Sequence, residues 1–186
     1  MEITTTPIEG LLLIKPRVFP DSRGEFFESY SEKDFLKAGV SPRFVQDNQS
    51  RSHKNVLRGM HFQAAPFEQG KLVRVVKGSV LDVAVDIRKD SRTYSKSYSV
   101  TLSDKNNLML WIPAGFAHGF LSLENDTVVA YKCTTPYNKD SDRGILWNDP
   151  DLNIDWGISS PVLSEKDSRL PRLKEYEASL IETKTI

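Results

Sequence analysis

From Lys71 onward the chain alternates apolar and polar residues in short runs. KLVRVVK is followed, after a break at Lys77–Gly78–Ser79, by SVLDVAVDIR, and then by YSKSYSVTL, LMLWIP, GFLSL and TVVAYKCT. A period of two sends successive side chains to opposite faces, so each run predicts a β-strand with a buried face. The first two runs have the pattern of a β-hairpin turning at Gly78. Clusters such as SDKNN and ENDT, rich in turn formers, bound the others. Many short strands at short spacing predict an all-β sandwich or small barrel. Helical signals are few. SEKDFLKAG offers Ser31 as an N-cap, Asp34 at the capping-box position and Gly39 as a stop, while SEKDSRLPRLKEYEASLIE predicts short C-terminal helices.

The same alternation has chemical consequences. Lys71 shares a strand face with Val73 and Val75, and Tyr131 shares one with Val129 and Cys133, so both polar groups can point into an apolar interior. The bland alternatives are a lysine that snorkels from a strand start and a tyrosine whose hydroxyl sits at an edge.

Composition narrows the class. At 186 residues and 39% hydrophobic, the chain can bury one core, and no repeat or linker divides it, so a single domain over 1–186 is expected. Lys+Arg and Asp+Glu are both 25, which leaves no overall basic field for nucleic acid or an anionic membrane. Anion binding must then be local. Cys133 is the only cysteine; a disulfide framework is excluded, a reducing cytoplasm is expected, and the thiol is expected to pack as a small hydrophobe. No apolar run approaches the ~18 residues of a membrane span, and the first residues lack the pattern of a signal peptide.

Three histidines are present: His53, His61 in LRGMHFQ and His118 in PAGFAH. PAGFAH resembles half of the metal signature of cupins. The other half needs two histidines flanking one residue and a nearby carboxylate, and it is missing, so no metal is expected and a metal-dependent cupin oxygenase ranks last. Without metal, two inward histidines, a lysine and a tyrosine around one cavity make a proton-transfer set suited to carbanion chemistry beside a carbonyl. Taken alone, His61 reads first as a hydrogen-bonded core histidine.

DSRGEFFE, QDNQSRS, VLRGMHFQ, KLVRVVKGSVLDVAVDIR, WIPAGFAHGF, YKCTTPY, RGILWNDP and LSEKD occur in the order and spacing of the dTDP-4-dehydrorhamnose 3,5-epimerase family, and the resemblance covers roughly residues 3–172. It implies a cupin-type jelly roll with short peripheral and C-terminal helices. The implied enzyme is a homodimer that needs no cofactor and epimerises a dTDP-linked 4-keto-6-deoxy sugar. The resemblance also implies roles: His61 as general base, Asp167 as its orienting carboxylate, Tyr131 as the acid on the opposite face and Lys71 at the enolate oxygen. Arg23, Glu28, Gln46, Asp47, Asn48, Arg58, His118, Asp142 and Lys166 fall on substrate-binding positions, with Tyr137 a candidate stacking residue. Arg23 and Glu28 would come from the neighbouring subunit.

Two departures from the family pattern stand out. Ala64-Ala65-Pro66 replaces a Pro-Pro pair after HFQ, which predicts a looser loop, and Asp142 replaces a glutamate one methylene longer. Arg58 and His61 differ in parity, which would put them on opposite faces of a regular strand, so a bulge or bend at Gly59 is expected. The alternatives are an epimerase acting at C3 or C5 only and a non-catalytic cupin that binds a sugar nucleotide.

Overall fold

The computed structural model describes residues 1–40 and 43–182. Thirteen strands follow in chain order: β1 Glu2–Thr5, β2 Leu12–Lys15, β3 Val18–Asp21, β4 Gly24–Phe27, β5 Gln46–Ser52, β6 Leu57–Gln63, β7 Lys71–Lys77, β8 Ser79–Asp86, β9 Ser97–Ser103, β10 Met109–Ile112, β11 Phe116–Ser122, β12 Thr127–Cys133 and β13 Asp142–Gly144. Three helices join them: α1 Glu32–Lys37, α2 Glu165–Ser168 and α3 Leu173–Glu182. Six strands form one sheet in the order β1-β2-β10-β7-β12-β5, five form a second in the order β13-β6-β11-β8-β9, and β3 and β4 make a separate hairpin. The interleaved order of an antiparallel two-sheet sandwich agrees with the cupin-type expectation.

Period-two patterning explains the layers. Val73 and Val75 of β7, Leu110 and Ile112 of β10 and Val129 of β12 meet Val80 and Ala84 of β8 and Phe116 and Phe120 of β11 between the sheets. Each fully buried side chain of this size contributes about 1.5–3 kcal/mol. The outer face of the five-stranded sheet is covered by the C-terminal segment, with Ile145, Leu152, Trp156 and, from α3, Leu173 packing on Leu57, Met60, Val83 and Val85. On the outer face of the other sheet, Phe35 of α1 packs with Leu12, Ile14, Leu72 and Trp111.

The hairpin expected at Gly78 does not form. β7 pairs with β10 and β12, whereas β8 pairs with β11 and β9. Gly78, at φ 81°, turns the chain from one sheet into the other. A Cβ there would lie 2.6 Å from Thr127 Oγ1, so only glycine fits the corner. Both runs keep their alternation because each turns its apolar face to the same interior from opposite sides. Ser31 does occupy the N-cap of α1, but its side chain makes no capping bond, and Gly39 ends the segment at φ 75°. The loop after Gln63 is not loose. Gln63 is buried, and its amide donates to the carbonyls of Phe67 at 2.6 Å and Pro136 at 3.2 Å while accepting from Asn138 N at 2.6 Å.

Candidate active site

A cavity of about 540 Å³ opens between β5 and β12 on one wall and β6 and β11 on the other. His61, Lys71, His118, Tyr131 and Asp167 all line it, with Gln46, Asn48, Arg58, Tyr137, Asp142 and Lys166 around them.

The expected distortion of β6 is present. Gly59 sits at φ 132°, and the pairing of β6 with β11 shifts register between the His118↔His61 and Phe120↔Arg58 pairs. The irregularity lets Arg58 and His61 reach the same cavity despite their parity. His61 Nε2 lies 2.7 Å from Asp167 Oδ1. Asp167 is only 3% exposed. Its position is fixed by α2, where its amide donates to Ser164 Oγ at 3.0 Å, and by Gly59 N, which donates to its Oδ2 at 3.4 Å. Burial pushes the Asp167 carboxyl up, but the hydrogen bond and charge of His61, with the Gly59 and Ser164 bonds, outweigh it and hold the carboxyl below its usual value.

His118 carries a second such pair. Its Nε2 stands 3.0 and 2.9 Å from the two oxygens of Asp82, a fully buried carboxylate on β8. Lys71, expected to face inward, is buried and donates to the His61 carbonyl at 3.4 Å. Its burial lowers the ammonium pKa against the upward pull of Cys133, Asp142 and Asp82. An oxygen gaining negative charge nearby would favour the charged form of this amine. Tyr131 faces His61's sheet from the other wall, paired with Asn48 across β5. Burial raises the phenol pKa, and Arg58 and Asn48 only partly offset this, so the phenol holds its proton at neutral pH.

At the rim, Asp142 Oδ2 accepts from Lys166 Nζ at 2.5 Å and from the Tyr137 hydroxyl at 3.1 Å. Tyr137 N donates to Gln46 Oε1 at 2.8 Å. Arg58 leans on Ser52 Oγ at 3.1 Å and the Arg51 carbonyl at 3.2 Å, which leaves cationic surface beside the opening.

Three predicted residues are not brought into this cavity. Arg23 and Glu28 belong to the projecting β3–β4 hairpin segment; the Arg23 side chain is 88% exposed and pairs with Asp21 at 2.6 Å. Asp47 lies on the outer face of β5, where it pairs with Lys132 at 3.0 Å. The expectation that Asp47 lines the cavity is therefore not met: in an alternating strand it points away from the face that Gln46 and Asn48 share. Sequence reading missed Asp82 and Gln63. Asp82 was findable, because Val80, Asp82 and Ala84 share one face of an otherwise apolar strand. Among the described residues, no group of three or more His, Cys, Asp or Glu side chains is arranged to hold a metal ion.

The profile of the dTDP-4-dehydrorhamnose 3,5-epimerase family matches residues 5–175. The chain belongs to this family. It is 51% identical to the dTDP-4-dehydrorhamnose 3,5-epimerase of Shigella flexneri over 168 residues, covering 90% of this chain and 93% of that one. It is 50% identical to the Escherichia coli enzyme of the same name over 177 residues, covering 94% and 96%. Among solved structures, a dTDP-6-deoxy-D-glucose-3,5-epimerase from Legionella pneumophila in complex with dTDP-4-keto-L-rhamnose matches with a TM-score of 0.91 and 46% identity, over 96% of each chain.

Proposed function

We propose that this epimerase inverts C3 and C5 of dTDP-4-dehydro-6-deoxy-D-glucose, giving dTDP-4-dehydro-L-rhamnose. The observation that carries the reading is the placement of the His61–Asp167 pair and the Tyr131 phenol on opposite walls of one cavity, with the buried Lys71 amine lining it as well. In each inversion His61 takes the proton from a carbon beside the C4 ketone, and the C–H electron pair moves into an enolate whose oxygen Lys71 stabilises. Tyr131 then gives a proton to the opposite face of that carbon and the C4 carbonyl re-forms. Both C3 and C5 flank the ketone, so one set of groups serves both. The reaction is redox-neutral and calls for no cofactor.

Gln46, Asn48, Arg58, His118, Asp142 and Lys166 would bind the rest of the substrate, with Tyr137 stacking on the base. A homodimer would bring Arg23 and Glu28 into use across the subunit boundary; the exposed Phe19 and Phe26 of the β3–β4 hairpin support such a docking face. We place the enzyme in the cytoplasm on its lone buried cysteine; no helix among the described residues is long and apolar enough to cross a membrane.

Proton NMR of the product formed in D₂O tests the reaction. Deuterium at both C3 and C5 is the expected result, and label at one carbon alone would make the enzyme a single-position epimerase. The dimer is tested by mixing Arg23→Ala with His61→Ala subunits under exchange. A heterodimer then holds one site with both defects and one with none, so activity well above either parent is expected.

A further inference from the structure

Among the described residues, the hydroxyl of Ser50 is the one buried side-chain polar atom that meets no hydrogen-bonding group of the protein. Its neighbours on the inner face of β5 are engaged. Gln46 Nε2 donates to Asn48 Oδ1 at 3.0 Å, and Ser52 Oγ accepts from Arg58 Nε at 3.1 Å. Buried polar groups without partners are rare in native folds, and each calls for a reason. Ser50 gains nothing for the fold by carrying a hydroxyl, since an alanine would fill the same place without leaving a polar atom unpaired.

Position supplies the reason. Ser50 lines the same cavity as His61 and Tyr131. It pairs with Val129 of β12, two residues from Tyr131 on the same face, so Ser50 and Tyr131 are diagonal neighbours within reach of one bound ring. Resting on the reaction proposed above, we infer that Ser50 Oγ binds the C2 hydroxyl of the hexose. The ring offers few alternatives. C1 carries the diphosphate, C4 is the ketone, C5 bears a methyl group, and the C3 hydroxyl changes hand during the reaction. The C2 hydroxyl alone is a hydroxyl that keeps its configuration from substrate to product, so a fixed partner can hold it through both inversions while the rest of the ring turns.

The test compares Ser50→Ala with wild type in four measurements. The variant's kcat/KM on dTDP-4-dehydro-6-deoxy-D-glucose should fall roughly three- to tenfold, the range for one neutral hydrogen bond. Its melting temperature should not fall, and its affinity for dTDP, which lacks the hexose, should match wild type. On the substrate analogue without the C2 hydroxyl, the two proteins should turn over equally. An unchanged kcat/KM, a lowered melting temperature or failure to fold, a weakened dTDP complex, or a variant still slower on the 2-deoxy analogue would each overturn the assignment. Wild-type protein that introduces no deuterium into the sugar would instead refute the underlying reaction, and this assignment with it.

Discussion

β6 and β11 carry two histidines directly opposite each other, His61 and His118, and each imidazole rests on a carboxylate. The chemistry of the pairs is the same, but their surroundings differ. The His61 side chain is 33% exposed and its partner Asp167 arrives on α2, from 106 positions along the chain. The His118 side chain is 7% exposed, and its partner Asp82 comes from the adjacent strand β8 with no exposure at all. On the mechanism proposed above, the first pair can exchange a proton with a bound carbon because the imidazole faces open cavity. The second pair also reaches the cavity wall, but its imidazole is largely covered and Asp82 is sealed beneath it, which suits a fixed hydrogen-bonding contact better than proton exchange. Access, more than residue type, separates a base from a binding group here.

The sharpest way to break this contrast is His61→Ala. Turnover should fall by at least the ~10²- to 10⁴-fold typical of a lost general base, with dTDP binding retained by calorimetry and solvent exchange at C3 and C5 lost in D₂O. Asp82→Ala should show the opposite signature. It leaves His118 Nε2 without its partner, and a buried polar group left unsatisfied costs about 1–3 kcal/mol, measurable as a lower urea midpoint at unchanged slope.

Asp167→Asn is expected to slow kcat/KM roughly tenfold to a hundredfold, the equivalent of one hydrogen bond to a charged group, with a smaller effect on stability. Its pH dependence has a fixed sign. Because the folded-state carboxyl is held below its ordinary value, Asp167 stabilises the protein at pH values above about 3.9, and that contribution disappears as the pH falls through the folded value. Unfolding curves of wild type and Asp167→Asn should therefore converge in acid. Smallest of all is His53→Ala. This third histidine is exposed outside any strand, so stability should change by less than about 0.5 kcal/mol, and turnover should match wild type.

Much of this was legible along the chain, for identifiable reasons. Parity put Lys71 and Tyr131 on apolar strand faces, but a lysine that snorkels and a tyrosine at an edge fit the same count. The family resemblance was needed to turn both inward. Asp47, expected at the substrate, points outward by the same parity. The bend at Gly59 followed from a parity conflict between Arg58 and His61. Pairing partners were less accessible. KLVRVVK and SVLDVAVD look like a hairpin because alternation records which face is buried and carries no record of which strand lies alongside. Asp167 could be linked to His61 only through the family resemblance, since a contact spanning 106 positions leaves no local trace. The idle hydroxyl of Ser50 was invisible for the same reason: whether a buried group finds a partner depends on side chains from β6 and β12.

The crossing of Gly59 and Gly119 sets a boundary for anyone reshaping the cavity. A methyl group on Gly59 would stand 2.5 Å from the Gly119 Cα, and one on Gly119 would stand 2.7 Å from Met60 Sδ and 2.9 Å from the Arg58 carbonyl. Neither glycine can be randomised alone, and no compensating change at the other makes room, because the obstacle on both sides includes backbone. A mutagenesis library aimed at new sugar substrates can vary the cavity walls freely only if these two codons stay frozen. Natural drift faces the same restriction, so both glycines should be kept wherever this crossing of β6 and β11 is kept.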